Sequence, residues 1–185
     1  MVANEQVRWT IADLDLLPEG VRYEIVDGEL LMTRSPHWEH QAVIGNIYAE
    51  LKTWSRSTGL GQPAPNPGIV FSDADNVIPD VVWASNERYG QLVDEAGHLN
   101  GAPELVVEVL SPGEENERRD RQVKLKLYAS QGVQEYWLAD RRLCQIQVYR
   151  RESGTLKLVA TLFANDELTS PLLPGFNCSV GLLFS

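Results

Sequence analysis

The chain is poor in cysteine. Cys144 and Cys178 stand far apart and form no C-x-x-C pair, which excludes a disulfide framework, argues against zinc held through sulfur, and reads as two free thiols. It also lacks a basic start followed by an apolar run: "MVANEQVRW" is no signal peptide, and no stretch approaches the roughly 18 apolar residues of a membrane span. The expectation is a cytoplasmic protein with no membrane partner. Positive charge is scarce, with 16 Lys and Arg against 26 Asp and Glu and a net charge of −10. Such a surface repels polyanions at long range and argues against non-specific nucleic-acid binding over the whole molecule. Nucleic acid would have to meet a local basic patch. Two segments offer one: Arg118, Arg119, Arg121, Lys124 and Lys126, and Arg141, Arg142, Arg150 and Arg151. The plainer reading of each is a solvated face with local ion pairs.

Low-complexity tracts and internal repeats are missing too. The 185 residues read as one domain, 1–185, able to bury well over half of its unfolded surface without a metal or disulfide. "TIAD" at 10 to 13 can cap a short helix that Pro18 and Gly20 stop. "RYEIVDGELLM" sets Asp27-Gly28 between two alternating runs, the strongest short signal for a tight β-hairpin, with Glu24 on its first strand. From Pro36 to Arg56 the residues Val43, Ile44, Ile47, Leu51 and Trp54 recur at helical spacing, with His40 one turn before them on the same stripe. "GQPAPNPG" is expected to be a loop, and strands are expected at about 68–72, 78–84 and 104–110. A helix from about 114 to 131 follows, acidic early, basic late and closed by Gly132. "VQEYWLAD" reads as a strand, and "CQIQVYRRESGTLKLVATLF" as a hairpin turning near Ser153-Gly154.

Two apolar strands carry a carboxylate. In "PELVVEVLSP", Glu108 shares a face with Val106 and Leu110 while Leu105, Val107 and Val109 point the other way, so both faces look covered. A carboxylate there must be neutralised, paired with a cation or bound to a metal. In "NVIPDVVW", Asp80 follows Pro79 near the start of a strand. If the two strands are neighbours, Asp80 and Glu108 can offer oxygen ligands to a hard cation such as Mg2+ or Mn2+. Lys124, at i±4 from Asp120 and Tyr128, is expected on the inward side of the helix beside Val123 and Leu127, with Lys126 pointing away and Gln122 in solvent. It could pair with Glu108 as a structural ion pair, or orient a water and a phosphate oxygen.

"IPD" at 78–80 and "EVL" at 108–110, within an order of helix, three strands, helix, strand, resemble the PD-(D/E)XK restriction-endonuclease-like superfamily. The nearer resemblance is to the Uma-type family of bacterial proteins assigned as endonucleases, through "YEIVDGEL", "IPDVVW", "EVLSP" and "RRDRQVKLKLYASQGVQEYWLAD". The resemblance implies a mixed α/β (α+β) fold with a restriction-endonuclease-like core and a β-hairpin at each end. It implies that Asp80 and Glu108 bind a divalent metal, with the Val109 carbonyl as a further ligand and Glu24 completing the acidic cluster. The lysine place of E-x-K is held here by Leu110, and the resemblance moves that role to Lys124. His40 is an accessory candidate, with satisfaction of a neighbour as its alternative role.

The leading reading is therefore metal-assisted hydrolysis of a phosphodiester in nucleic acid, with DNA ahead of RNA. One alternative keeps the fold and discards the chemistry: a nucleic-acid- or protein-binding module in which the acids and the lysine form a buried ion network. A metal-free hydrolase with two carboxylates as acid and base ranks last, because a lysine beside both would hold them ionised. A homodimer would help so acidic a protomer to build a usable groove.

Overall fold

The computed structural model describes residues 7–33, 37–111 and 113–185. Pro36 and Pro112, at the expected starts of the two long helices, lie outside these residues. A 3₁₀ turn, Ile11–Leu16, opens the chain, and Asp13 accepts hydrogen bonds from both the backbone N–H and the hydroxyl of Thr10, each at 2.8 Å. The hairpin of β1 (Arg22–Val26) and β2 (Glu29–Thr33) turns through Asp27 (φ 50°) and Gly28 (φ 74°). Both are left-handed, as a two-residue turn matching the strand twist requires.

Helix α1 (Trp38–Thr58) buries His40, Val43, Ile44, Ile47, Leu51 and Trp54 along one face and ends at Gly59, which is left-handed. The expected proline-rich loop is instead a strand, β3 (Gly61–Pro65), paired with β6 (Val81–Ser85). The prolines are tolerated because β3 lies at the sheet edge, where a missing N–H leaves no partner unsatisfied. Between them run β4 (Ile69–Ser72) and β5 (Asp75–Val77). After β6 come α2 (Asn86–Leu92), capped by the Ser85 hydroxyl, then β7 (Leu99–Asn100) and β8 (Leu105–Val109). The stretch between the two long helices thus holds six strands and a short helix, where three strands were expected. β5 and β7 are too short and polar to show a period.

The second long helix is built from α3 (Glu114–Arg118), a π-helical segment (Arg119–Lys124) and α4 (Leu125–Gln131), closed by left-handed Gly132. It carries the chain from β8 to the parallel strand β9 (Glu135–Asp140). β10 (Gln145–Glu152) and β11 (Thr155–Phe163) form the expected hairpin, with Ser153 and Gly154 both at positive φ. β12 (Glu167–Thr169), β13 (Asn177–Ser179) and α5 (Val180–Leu183) complete the chain.

The main sheet has the order β11-β10-β9-β8-β6-β3, and a smaller one the order β2-β1-β5-β4-β7. On one face of the main sheet, Leu105, Val107, Val109 and Trp137 pack under α1. On the other, Val106, Leu110, Tyr136 and Leu138 pack with Leu127 and Tyr128 of α4 and with Val26 and Val77 of the smaller sheet. Each fully buried aliphatic side chain contributes about 1.5–3 kcal/mol. Glu108, on the second face, is closed in by α4 and by the edge where the smaller sheet meets the main one.

Candidate active site

The register of β6 and β8 pairs Val81 with Val107 and Val82 with Val106, so one further step sets Asp80 across from Glu108. The backbone N–H of Val109 donates to Asp80 Oδ2 at 2.7 Å, fixing that carboxylate at the mouth of the two strands. Asp80 keeps 14% of its side chain exposed, and Glu108 keeps 5%. Glu24 arrives from β1 and is anchored by the N–H of Ile78, which donates to its Oε1 at 2.8 Å. The β1–β2 hairpin and the approach to Asp80 are thereby tied together through one oxygen.

Lys124 enters from the helix. Its ammonium lies 2.9 Å from Glu24 Oε1 and 2.9 Å from Glu108 Oε1, and the residue is 2% exposed. The Tyr128 hydroxyl donates to the same Glu108 oxygen at 2.6 Å. Asp120, also buried, accepts from Arg119 Nε at 3.3 Å, and its backbone carbonyl accepts from the Tyr136 hydroxyl. Asp120, Lys124 and Tyr128 thus line one face. Val123, expected beside Lys124, is instead 38% exposed. The wider π-helical turn rotates Asp120 and Lys124 inward together and swings Val123 out. Lys126 and Gln122 are exposed, as expected.

His40 reaches the same place from α1. Its Nε2 lies 2.9 Å from the Val109 carbonyl oxygen and 3.6 Å from Asp80 Oδ2. Only the carbonyl is within hydrogen-bond distance, and it can only accept, so Nε2 carries the proton. Nδ1 is buried with no partner among the described residues. Burial holds the imidazole below its ordinary pKa, which favours the neutral ring.

Burial dominates the carboxyls as well. Glu108 is pushed up to about 7, burial outweighing the favourable Lys124 charge, with Asp120 and Glu24 adding repulsion. Asp80 is raised well above the usual carboxylate range by burial and by the Glu108 charge. Asp120 is raised by burial against the pull of Lys124 and Arg119. For Lys124 burial works to lower the pKa, but Glu108, Glu24 and Asp120 together hold the ammonium above its ordinary value. Among the described residues the site gathers four carboxyl groups, those of Glu24, Asp80, Glu108 and Asp120, around the two cations Lys124 and Arg119. As the side chains stand, no three His, Cys, Asp or Glu groups among the described residues converge closely enough to hold a metal ion.

The two basic segments are largely engaged elsewhere. Arg121 pairs with Asp140 at 3.1 Å, Arg142 with Glu117 at 2.6 Å and Arg150 with Glu135 at 2.9 Å, while Arg141 pairs with Glu39. Arg118 and Lys126 are exposed. The sequence sets Asp120 and Tyr128 four residues either side of Lys124, but the reading gave neither a place in the site, although that spacing puts all three on one helical face.

No curated protein matches the sequence. Among solved structures, the fold is similar to that of a "putative nuclease belonging to DUF820" from Anabaena variabilis, a crystal structure at 1.96 Å resolution. The TM-score is 0.74 and the identity 18%, covering 95% of this chain and 97% of that one, a likeness of fold. The sequence itself matches the Uma2 family, described as "Putative restriction endonuclease", over residues 11–181. That span takes in the hairpin with Glu24, both carboxylate strands and the helix with Lys124, and the chain belongs to the Uma2 family.

Proposed function

We propose that the protein is a nuclease that hydrolyses phosphodiester bonds, in DNA, with a divalent cation, Mg2+ or Mn2+, held by Asp80 and Glu108. The observation that carries this reading is the excess of buried carboxylates over cations around Glu108. A buried like-charge excess is costly, and a divalent cation would relieve it. The donor set suits a hard ion: carboxylate oxygens and the Val109 carbonyl, with no sulfur. Glu24, already shared between Ile78 and Lys124, would complete the set through its second oxygen.

The chemistry such a cation supplies when bound is activation of water and stabilisation of charge on the scissile phosphate. The protein's own groups do the positioning. The Val109 N–H and the Tyr128 hydroxyl fix the two carboxylates, and His40 ties α1 to the Val109 carbonyl. Lys124 supplies a fixed positive charge beside the reacting phosphate, a preorganised role worth about 3 kcal/mol in the transition state. The substrate would approach across a local basic patch containing Arg118 and Lys126, and a homodimer would extend the groove.

The deciding experiment is cleavage of a mixed DNA and RNA panel with Mg2+ or Mn2+ by wild type and Asp80→Ala. Metal-dependent cutting by the wild type, lost in a folded Asp80→Ala, is the expected result; equal cutting by both removes Asp80 from the chemistry. One observation favours a second reading, a binding module: Lys124 already bridges Glu24 and Glu108 at 2.9 Å each. Calorimetric titration with Mn2+ separates the two, because a closed ion network takes up no metal.

A further inference from the structure

A nuclease site must neutralise the phosphate it attacks, yet Lys124 is buried and shared between two glutamates, and most guanidiniums of the basic segments are engaged. Arg121 is held by Asp140 and Gln147, Arg150 by Glu135, and Arg151 by the carbonyls of Ala129 and Val133. Arg119 differs. Only its Nε is used, donating to Asp120 Oδ1 at 3.3 Å, and its side chain is 16% exposed. Among the described residues the two Nη groups have no protein partner. The partnerless atoms fully sealed from solvent are His40 Nδ1 and Arg141 Nε, so the Arg119 amino groups reach solvent.

Its position fits. Arg119 opens the π-helical segment that Lys124 closes, and its neighbour Asp120 is locked by burial and by the bond from Tyr136 to its carbonyl. Asp120 lies one turn before Lys124 and both are buried, so the guanidinium bonded to Asp120 stands beside the helical face that Lys124 turns to the carboxylates. A guanidinium held through Nε, with its two amino groups unbonded and in contact with solvent, presents the fork that matches two oxygens of a phosphate.

We propose that Arg119 binds the backbone phosphate at the scissile bond through its two amino groups, with Asp120 as the positioning residue that aims the fork. This rests on the nuclease reading above. It gives the direct contact with the substrate phosphate to Arg119 and leaves Lys124, held by Glu24 and Glu108, as the fixed charge behind it.

The test is binding of a fluorescein-labelled duplex DNA oligonucleotide, in chelator so that nothing is cut, followed by anisotropy over a range of NaCl concentrations. Arg119→Gln should weaken binding roughly tenfold and lower the slope of log K against log salt by about 0.9, the signature of one lost phosphate contact. Arg119→Lys, which keeps the charge beside Asp120 but not the fork, should keep the slope and still bind more weakly. Arg56→Gln, the same charge change at an exposed position in the last turn of α1, should cost less. An unchanged slope in a folded Arg119→Gln overturns the proposal, as does an equal loss in Arg56→Gln. Should Arg119→Gln fail to fold, Arg119→Lys decides, and wild-type affinity there also overturns it. A wild type that binds the oligonucleotide but cuts nothing when Mg2+ is restored removes the nuclease reading and leaves Arg119 as a phosphate contact. Cutting with an unchanged Arg119→Gln slope does the reverse, and a wild type that binds no oligonucleotide ends the Arg119 proposal.

Discussion

Glu108 is set on an apolar strand face beneath Lys124 and Tyr128, and the cost of desolvating its charge sets how it titrates. Its folded pKa of about 7 lies above its ordinary value of 4.5. The native state therefore holds a proton that the unfolded chain has already released. The stability this contributes is fully present below 4.5 and is lost as pH rises through about 7. Glu108→Gln removes this titration while keeping the shape. Its melting temperature, measured from pH about 4.5 to about 7.5, should fall less steeply with pH than that of the wild type. Asp80 and Asp120, shifted the same way, leave a residual slope. Parallel curves for variant and wild type would show that Glu108 stays ionised throughout.

The elements that position these side chains depend on close backbone contacts at the sheet edge. Gly61 opens β3, and a Cβ there would run into the Ala84 carbonyl oxygen and the Trp83 ring of β6. Both are held by the sheet, and Trp83 also donates to the Ser55 hydroxyl of α1 at 3.0 Å. Gly61→Ala should destabilise the protein by about 1–3 kcal/mol, read as a lower urea midpoint at unchanged m. Gly90→Ala is the control: it lies in α2 with open space around it and should stabilise by a few tenths to about 1 kcal/mol. A Gly61→Ala midpoint at or above wild type would mean that β3 peels from the edge at little cost. β3 was hidden in the sequence because Pro63 and Pro65 argue against a strand. The π-helical segment was hidden because a spacing read at 3.6 residues per turn carries no mark of one wider turn within it, which is why Val123 was expected on the inward side.

Taken whole, the molecule brings Glu24, Asp80, Glu108 and Lys124 together at the line where α1, the second long helix and the two sheets meet, while no helix among the described residues is long and apolar enough to cross a membrane. Filling that line with a divalent cation should stabilise the native state, by mass action, only where the carboxylates are ionised. Saturating Mn2+ should therefore raise the melting temperature by several degrees at pH about 8 and by clearly less at pH about 5.5, where Glu108 keeps its proton. Asp80→Asn should abolish the rise. No shift at either pH would leave the carboxylates as a structural network around Lys124.

The sequence by itself determined the elements whose signal is local. The Asp27-Gly28 hairpin, the stripe of α1 from Val43 to Trp54 and the Ser153-Gly154 turn follow from φ preference and periodicity within a few residues, and the four matching stretches marked the family. That Glu108 needed a partner also followed, since a covered strand face tolerates no lone carboxylate. Only the tertiary structure decided which partner. The contacts of Lys124 with Glu24 and Glu108, of Val109 with Asp80 and of His40 with the Val109 carbonyl join residues far apart in sequence, so their geometry comes from sheet register and helix rotation. Burial, which sets the pKa of each acid, is a property of everything packed around it and is written in no single stretch of the chain.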